Sequence, residues 1–323
     1  EETIDRQFKD LAQNPSLQVA QDFLVGTPGN PPLKSLSQEK APIHTLVICG
    51  VDPDLLLCTN QYMVQSNLDA INKGIKIIKA ITRVESVIMA LSRDTLQGIG
   101  HLEAELKAVE PYHPAGLPRL IMKDVLGQIV PTGKSCEDLG VVFMSAEAVA
   151  SLGTAFDARQ IPVTKIFTLI TKEGSRTLVA ARIGTPLTDV FKTFDITLNA
   201  HDRIILGGPM TGKALYSEDF PIRPDTDAVM IQDRQDIPYV SDYPCINCGE
   251  CVRACPARMQ VNMLIRILEA GHYEEAVESY DLDSCVECGL CSFVCVSKIP
   301  IFQYIRLAKY ELARTRLLEA ANE

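Results

Sequence analysis

CINCGECVRACP at residues 245–256 and CVECGLCSFVCV at residues 285–296 decide how the C-terminal part of the chain folds. Both read Cys-x-x-Cys-Gly-x-Cys-x-x-x-Cys, and together they use eight of the 11 cysteines. Three thiolates at i, i+3 and i+6 let one tight loop wrap a face of a cubane. The fourth corner must come from elsewhere, and in two-cluster ferredoxins the last cysteine of each run serves the other cluster. The pattern therefore predicts two 4Fe-4S clusters. One takes Cys245, Cys248, Cys251 and Cys295; the other takes Cys285, Cys288, Cys291 and Cys255. Gly249 and Gly289 follow the second cysteine of each run, where a bend is needed to bring N–H groups to the sulfides. Zinc knuckles lack the third, crowding cysteine. An odd cysteine count with no signal-like segment argues against a disulfide framework. Pro256 follows the last cysteine of the first run and Val296 that of the second, a small departure from symmetry.

Between and after the runs the apolar residues fall at helical spacing. Val261, Leu264, Ile265 and Leu268 form one stripe that stops at Gly271; Tyr273, Ala276, Val277 and Tyr280 form the next. A third helix is expected from Ile301 to the end, with Ile305, Ala308 and Leu312 on its inner face.

Upstream, strands alternate with helical lengths, which implies an α/β layered domain. The strands read are 43–50, 84–91, 119–123 and 141–144, with helices over 60–79, from about Thr95, and after the helix cap Ser145. From Pro162 the pattern changes. KIFTLIT (165–171) and TLVAARIG (177–184) make a hairpin, followed by a helix over 187–194 and a strand at 203–206, a small β-grasp unit; residues 213–242 read as loop-rich, with one strand at 228–232.

The 323 residues carry a formal charge of −10 and 46% hydrophobic residues. The acidic balance argues against a nucleic-acid partner, and no apolar run is long enough to span a bilayer. Thr132-Gly-Lys-Ser135 lacks the upstream glycine of a P-loop, and Gly98-Ile-Gly100 lacks the third glycine of a dinucleotide fingerprint. His44, His101, His113, His201 and His272 show no ligand spacing. GGPMTG (207–212) reads as a structural turn. Asp52 and Asp54 sit at the C-terminal end of the first strand, where open α/β sheets bind ligands.

VICGVDPDLLLCTNQYMV (47–64), AARIGTPLTDVF (180–191), IILGGPMTGKAL (204–215) and the two cysteine runs, the second extended through SKIPIFQYIRLAKYEL to residue 312, resemble the C subunit of Rnf-type electron-transport complexes. That family is related to the flavoprotein subunit of respiratory complex I. The resemblance implies an N-terminal extension over 1–42, a flavin-domain-like α/β domain over 43–160, a β-grasp domain over 161–215, a linker over 216–242 and a helical two-cluster domain over 243–323. It implies partners: neighbouring subunits of a membrane-bound complex and a redox donor and acceptor, with the chain peripheral on the cytoplasmic face. It also marks departures. No counterpart of the family's lipoyl-like N-terminal domain is recognised. The glycine-rich loop that cradles FMN and NADH corresponds to LVGTPGNPP (24–32), which keeps Gly26 and Gly29 but gains Thr27, Pro28 and Pro31. An acidic stretch of the family corresponds to Asp52 and Asp54. A phosphate cradle needs backbone donors that proline lacks, so FMN and NADH are expected to be absent. The expected role is an electron carrier without a catalytic site of its own. An active FMN-dependent NADH dehydrogenase subunit and a structural adaptor stapled by its clusters are the alternatives.

Overall fold

The computed structural model describes residues 2–37, 42–241 and 243–322. Residues 38–41 and 242, at the ends of the expected extension and linker, lie outside them, as do the two termini of the expected layout. The chain forms two compact units. One contains Glu1–Val130 and Ser135–Asp236; the other contains Pro131–Lys134 and Ile237–Glu323.

In the first unit, α1 (Glu2–Leu11) and α2 (Leu17–Phe23) precede β1 (Thr45–Cys49), α3 (Thr59–Ser66), α4 (Leu68–Ile81), β2 (Ser86–Ser92), α5 (Arg93–Leu96), β3 (Glu105–Val109), α6 (Pro118–Asp124), β4 (Val141–Ser145) and α7 (Ala146–Ala158). The four strands form a parallel sheet in the order β3-β2-β1-β4. A parallel sheet needs apolar cover on both faces, and alternation along β1 supplies it. Leu46 and Ile48 face a core built with Ile71, Ile75 and Ile78 of α4 and Val149 and Leu152 of α7. Val47 faces a second core with Ile121 and Met122 of α6. Gly74 and Gly153 let α4 and α7 touch backbone to backbone: a Cβ at Gly74 would lie 2.0 Å from Val149 O, and one at Gly153 2.1 Å from Ala70 O. The N-terminal extension is part of this core, since Phe8 is fully buried with its ring 5.7 Å from those of Phe23 and Phe156.

Three sequence expectations change here. Residues 119–123 are not a strand but lie in α6, because Pro118 at the first helical position presets the helix and a short apolar run is ambiguous between the two states. The edge strand is instead β3, whose exposed, charged pattern carries little strand signal. The helix expected over 60–79 is broken at Asn67 (φ −128°, ψ 32°) into α3 and α4. The helix expected from Thr95 is one turn, α5, cut short before Gly98 and Gly100. Ser145 caps α7 as expected, taking a hydrogen bond from Ala148 N–H at 3.1 Å.

The same unit continues with β5 (Thr164–Ile170), β6 (Arg176–Arg182), α8 (Leu187–Thr193), β7 (Arg203–Leu206), β8 (Lys213–Leu215) and β9 (Ala228–Gln232). The sheet order is β6-β5-β9-β7-β8. The β5–β6 hairpin is antiparallel, β9 returns parallel to β5, and Leu187, Val190 and Phe191 of α8 fill the face between them. The hairpin, α8 and β7 are the β-grasp unit read from the sequence; β9, read as a strand of the loop-rich linker, is instead the central strand between β5 and β7, and the short β8 adds an edge.

The second unit is helical: α9 (Glu250–Ala254), α10 (Val261–Glu269), α11 (Tyr273–Tyr280), α12 (Leu290–Phe293) and α13 (Ile301–Asn322). The stripes read from the sequence face inward, and Leu264, Ile265, Ala276, Ile305 and Ala308 are essentially fully buried. Among the described residues no helix is long and apolar enough to cross a membrane.

Candidate metal centre

All eleven cysteines are free thiols. The two runs fold as a repeat. In the first, Asn247 (φ 60°) and Gly249 (φ 79°) take the left-handed conformation on either side of Cys248; in the second, Glu287 (φ 56°) and Gly289 (φ 78°) do the same around Cys288. These bends turn the first two cysteines toward one centre and start α9 and α12, which carry Cys251 and Cys291 as their second residues. The repeat outlasts the cysteines. Arg258 and Lys298, three residues beyond Cys255 and Cys295, are both left-handed (φ 55° and 57°), and α10 and α13 begin at equivalent positions after them.

The consequence is an exchange of fourth thiols. One cavity is lined by Cys245, Cys248, Cys251 and Cys295, with Ile246, Ile299 and Ile301 among its walls. Another is lined by Cys255, Cys285, Cys288 and Cys291, with Met259, Phe302 and Ile305. The thiols ring these cavities without converging on a point: among the described residues no three His, Cys, Asp or Glu side chains come together as ligands of a single ion. Four thiols around an apolar hollow suit a cluster with one iron per sulfur.

Electrostatics agree with that fit. Burial pushes the Cys285 thiol up to about 11 against the lowering pull of the Lys309 ammonium. Burial, then the neighbouring Cys285 and Cys288, pushes Cys291 up to about 12. Cys251 and Cys288 are raised, chiefly by burial. Four thiolates so placed need compensating positive charge, which irons supply, with proton release on binding. Backbone donors already point at the sulfurs: Glu287 N–H to Cys285 Sγ and Ile299 N–H to Cys295 Sγ, each at 3.4 Å. The Val252, Leu290 and Ser292 N–H groups also favour the thiolates of Cys251, Cys288 and Cys291. Cys248 is the exposed member of the set, while Cys251, Cys288 and Cys295 are buried.

The residues assigned to a degenerate nucleotide site are dispersed. Asp52 and Asp54 line a cleft of about 190 Å3 beyond the C-terminal ends of the parallel strands, with Gln61, Ser92, Glu110 and His113. Asp52 caps α3 by accepting from Asn60 N–H at 2.9 Å, and burial raises its carboxyl to about 6. Asp54 is taken up by the GGPMTG turn, accepting from Met210 N–H, Thr211 N–H and the Thr211 hydroxyl. Gly26 and Gly29 are not on this cleft. Gly29 lies against the start of α7, where a Cβ would come within 2.4 Å of Ala148 N, and Gly26 faces open space. Glu110 and His113 carry no motif in the sequence and are recognised only by their place at the strand ends. Lys309, beside the second thiol ring, is equally silent, because α13 presents it there from outside both runs; Glu287 lies inside the second run but at a position the cysteine spacing leaves open.

The family model of the 4Fe-4S dicluster domain matches residues 227–299. The C subunit of the ion-translocating oxidoreductase complex of Buchnera aphidicola is 24% identical over 81% of this chain and 57% of its own length. The Pseudomonas aeruginosa protein of the same description is 28% identical over 92% of this chain and 40% of its own. The C subunit of the proton-translocating ferredoxin:NAD(+) oxidoreductase complex of Clostridium ljungdahlii is 29% identical over 83% and 61%. The chain is similar to these C subunits over most of its own length. It spans roughly half the length of the curated relatives it matches. Its fold is shared with a chain of an NAD+-reducing [NiFe]-hydrogenase in the H2-reduced state, at a TM-score of 0.54 and 16% identity, covering 96% of this chain and 67% of that one.

Proposed function

We propose that this chain is the electron-transfer part of a membrane-associated redox complex, with one 4Fe-4S cluster held by Cys245, Cys248, Cys251 and Cys295 and a second by Cys285, Cys288, Cys291 and Cys255. The observation that carries the reading is the sorting of the eight thiols into two rings, each with three cysteines from one run and the fourth from the other. When bound, such clusters supply one-electron chemistry at potentials the protein tunes. The chain's own part is to hold the thiolates, aim backbone N–H groups at sulfur, and exclude water with Ile299, Ile301, Phe302 and Ile305.

The domain layout of 43–160, 161–215 and 243–323 belongs to this proposal, with 1–42 as extension and with the linker 216–242 lending β9 to the β-grasp sheet. So do partner subunits of the kind named for the relatives, a redox donor and acceptor, and a peripheral place on the cytoplasmic face. The nucleotide and flavin site is read as lost. Three observations support this: the cleft is smaller than the roughly 300–1,000 Å3 of ordinary ligand pockets, Asp54 is committed to a turn, and Gly29 is pressed against a helix start. The second reading, an active FMN-dependent NADH dehydrogenase subunit, is favoured by the position of that cleft at the strand ends, with Asp52 in it.

Anaerobic purification followed by iron, sulfide and flavin analysis separates the two readings. About eight irons per chain with no flavin is the expected result. Stoichiometric FMN would favour the second reading, and zinc in place of iron would remove both.

A further inference from the structure

The two thiol rings are built alike but charged differently. At the second, the Lys309 ammonium donates to the Cys285 carbonyl at 3.0 Å and to Glu287 Oε1 at 2.9 Å. Glu287 sits between Cys285 and Cys288, and its own N–H donates to Cys285 Sγ. At the first ring the equivalent residue is Asn247, whose amide oxygen accepts from Asn262 Nδ2 at 2.7 Å, a neutral pair. The cation there is Arg253, which reaches the Cys248 carbonyl at 3.2 Å and pairs with Glu250. Its side chain is 62% exposed, whereas that of Lys309 is 24% exposed. An exposed charge is screened by water and salt, and a sheltered one much less. Lys309 is also fixed in place, since Ile305 and Ala308 on the same helix are buried in the core of this unit.

We propose that Lys309 is the residue that sets the potential of the second ring's cluster, with Glu287 as its opposing charge. The inference rests on the cluster assignment above. One-electron reduction adds a negative charge to the cage and makes or breaks no bond. A sheltered ammonium bonded to a ligand's carbonyl favours the reduced form; a carboxylate in the same loop disfavours it. The chain thereby holds its two clusters at different potentials, the second raised by Lys309, without any difference in ligand type.

The test is a dithionite titration of the anaerobically purified full chain, followed by EPR, for the unaltered protein, Lys309→Gln, Lys309→Arg and Glu287→Gln. In Lys309→Gln one of the two reduction steps is expected to move to lower potential, with the reduced-to-oxidised ratio at the original midpoint falling about ten-fold, which for one electron is ~59 mV. The other step stays in place, Lys309→Arg restores the first, and Glu287→Gln moves it upward. A purely structural role predicts no opposite response to Glu287→Gln. If both variants keep their iron and sulfide and neither step moves, or if both variants shift it in the same direction, the tuning role is overturned while the cluster assignment stands. If Lys309→Gln loses its clusters, the direction of the Glu287→Gln shift decides. An unaltered chain without iron and sulfide overturns the functional reading itself.

Discussion

Thr211 gives the Asp54 carboxylate two hydrogen bonds, from its backbone N–H at 2.8 Å and from its hydroxyl at 2.6 Å, across 157 residues of sequence. Met210 N–H adds a third at 3.2 Å, and Asp54 is only 7% exposed. The GGPMTG turn is thus pinned to the loop after β1. Hydrogen bonds to a buried charge are worth more than neutral ones. Asp54→Ala should lower unfolding free energy by about 3 kcal/mol, measured by urea denaturation. Gly208→Ala should act through the same contact, because its Cβ would fall 2.5 Å from Asp54 Cγ. An Asp54→Ala chain as stable as the original would remove the pinning role.

Exchange of the fourth thiols makes a pair of opposed predictions. Cys295→Ser should disturb the cluster of the first run, and Cys255→Ser that of the second. Mössbauer and EPR spectra of the two variants should therefore differ from each other, with each losing one cluster's signature. Identical spectra, or loss of the second-run cluster in Cys295→Ser, would mean that each run closes on itself.

Glu147 and Lys165 form a buried ion pair between the first turn of α7 and β5, at 3% and 0% exposure. Glu147 also accepts from Ile166 N–H at 2.9 Å, and Asp227 stands 3.4 Å from the ammonium. Burial raises the Glu147 carboxyl, against the pull of Lys165. Lys165→Met leaves the carboxylate without its partner and should cost about 3–5 kcal/mol. The double variant Lys165→Met with Glu147→Leu should recover much of that loss in the same denaturation experiment. A double variant worse than the single would show that the pair itself is a net stabiliser.

Asp52 sets a pH dependence. Its carboxyl lies at about 6 in the folded chain against 3.8 for a free aspartate, with burial as the largest cause. The folded state therefore holds the proton more tightly than the unfolded state. The associated stability is fully present below the unfolded value and is lost as pH rises through about 6. The loss is at most about 3 kcal/mol. Asp52→Asn keeps an acceptor for Asn60 N–H and should flatten this part of the profile, becoming relatively more stable at pH 7 to 8. Parallel profiles for the two proteins between pH 4 and 7 would count against it.

Spacing alone carried much of this molecule. Cysteines at i, i+3 and i+6, helical stripes such as Val261–Leu264–Ile265–Leu268, the hairpin around Gly174 and the cap at Ser145 are determined by neighbours within about two turns. Those signals are written in contiguous residues. Tertiary contact decided the rest: that 119–123 is a helix, that Asn67 breaks a helix in two, and that Phe8 belongs to the core of the sheet. It also decided that Asp54 faces Thr211, that Gly29 meets Ala148, and that Lys309 of α13 reaches Cys285 in the loop before α12. The partner of a buried carboxylate or a sheltered ammonium depends on where the chain returns in space, and the returning residue keeps no regular distance along the sequence.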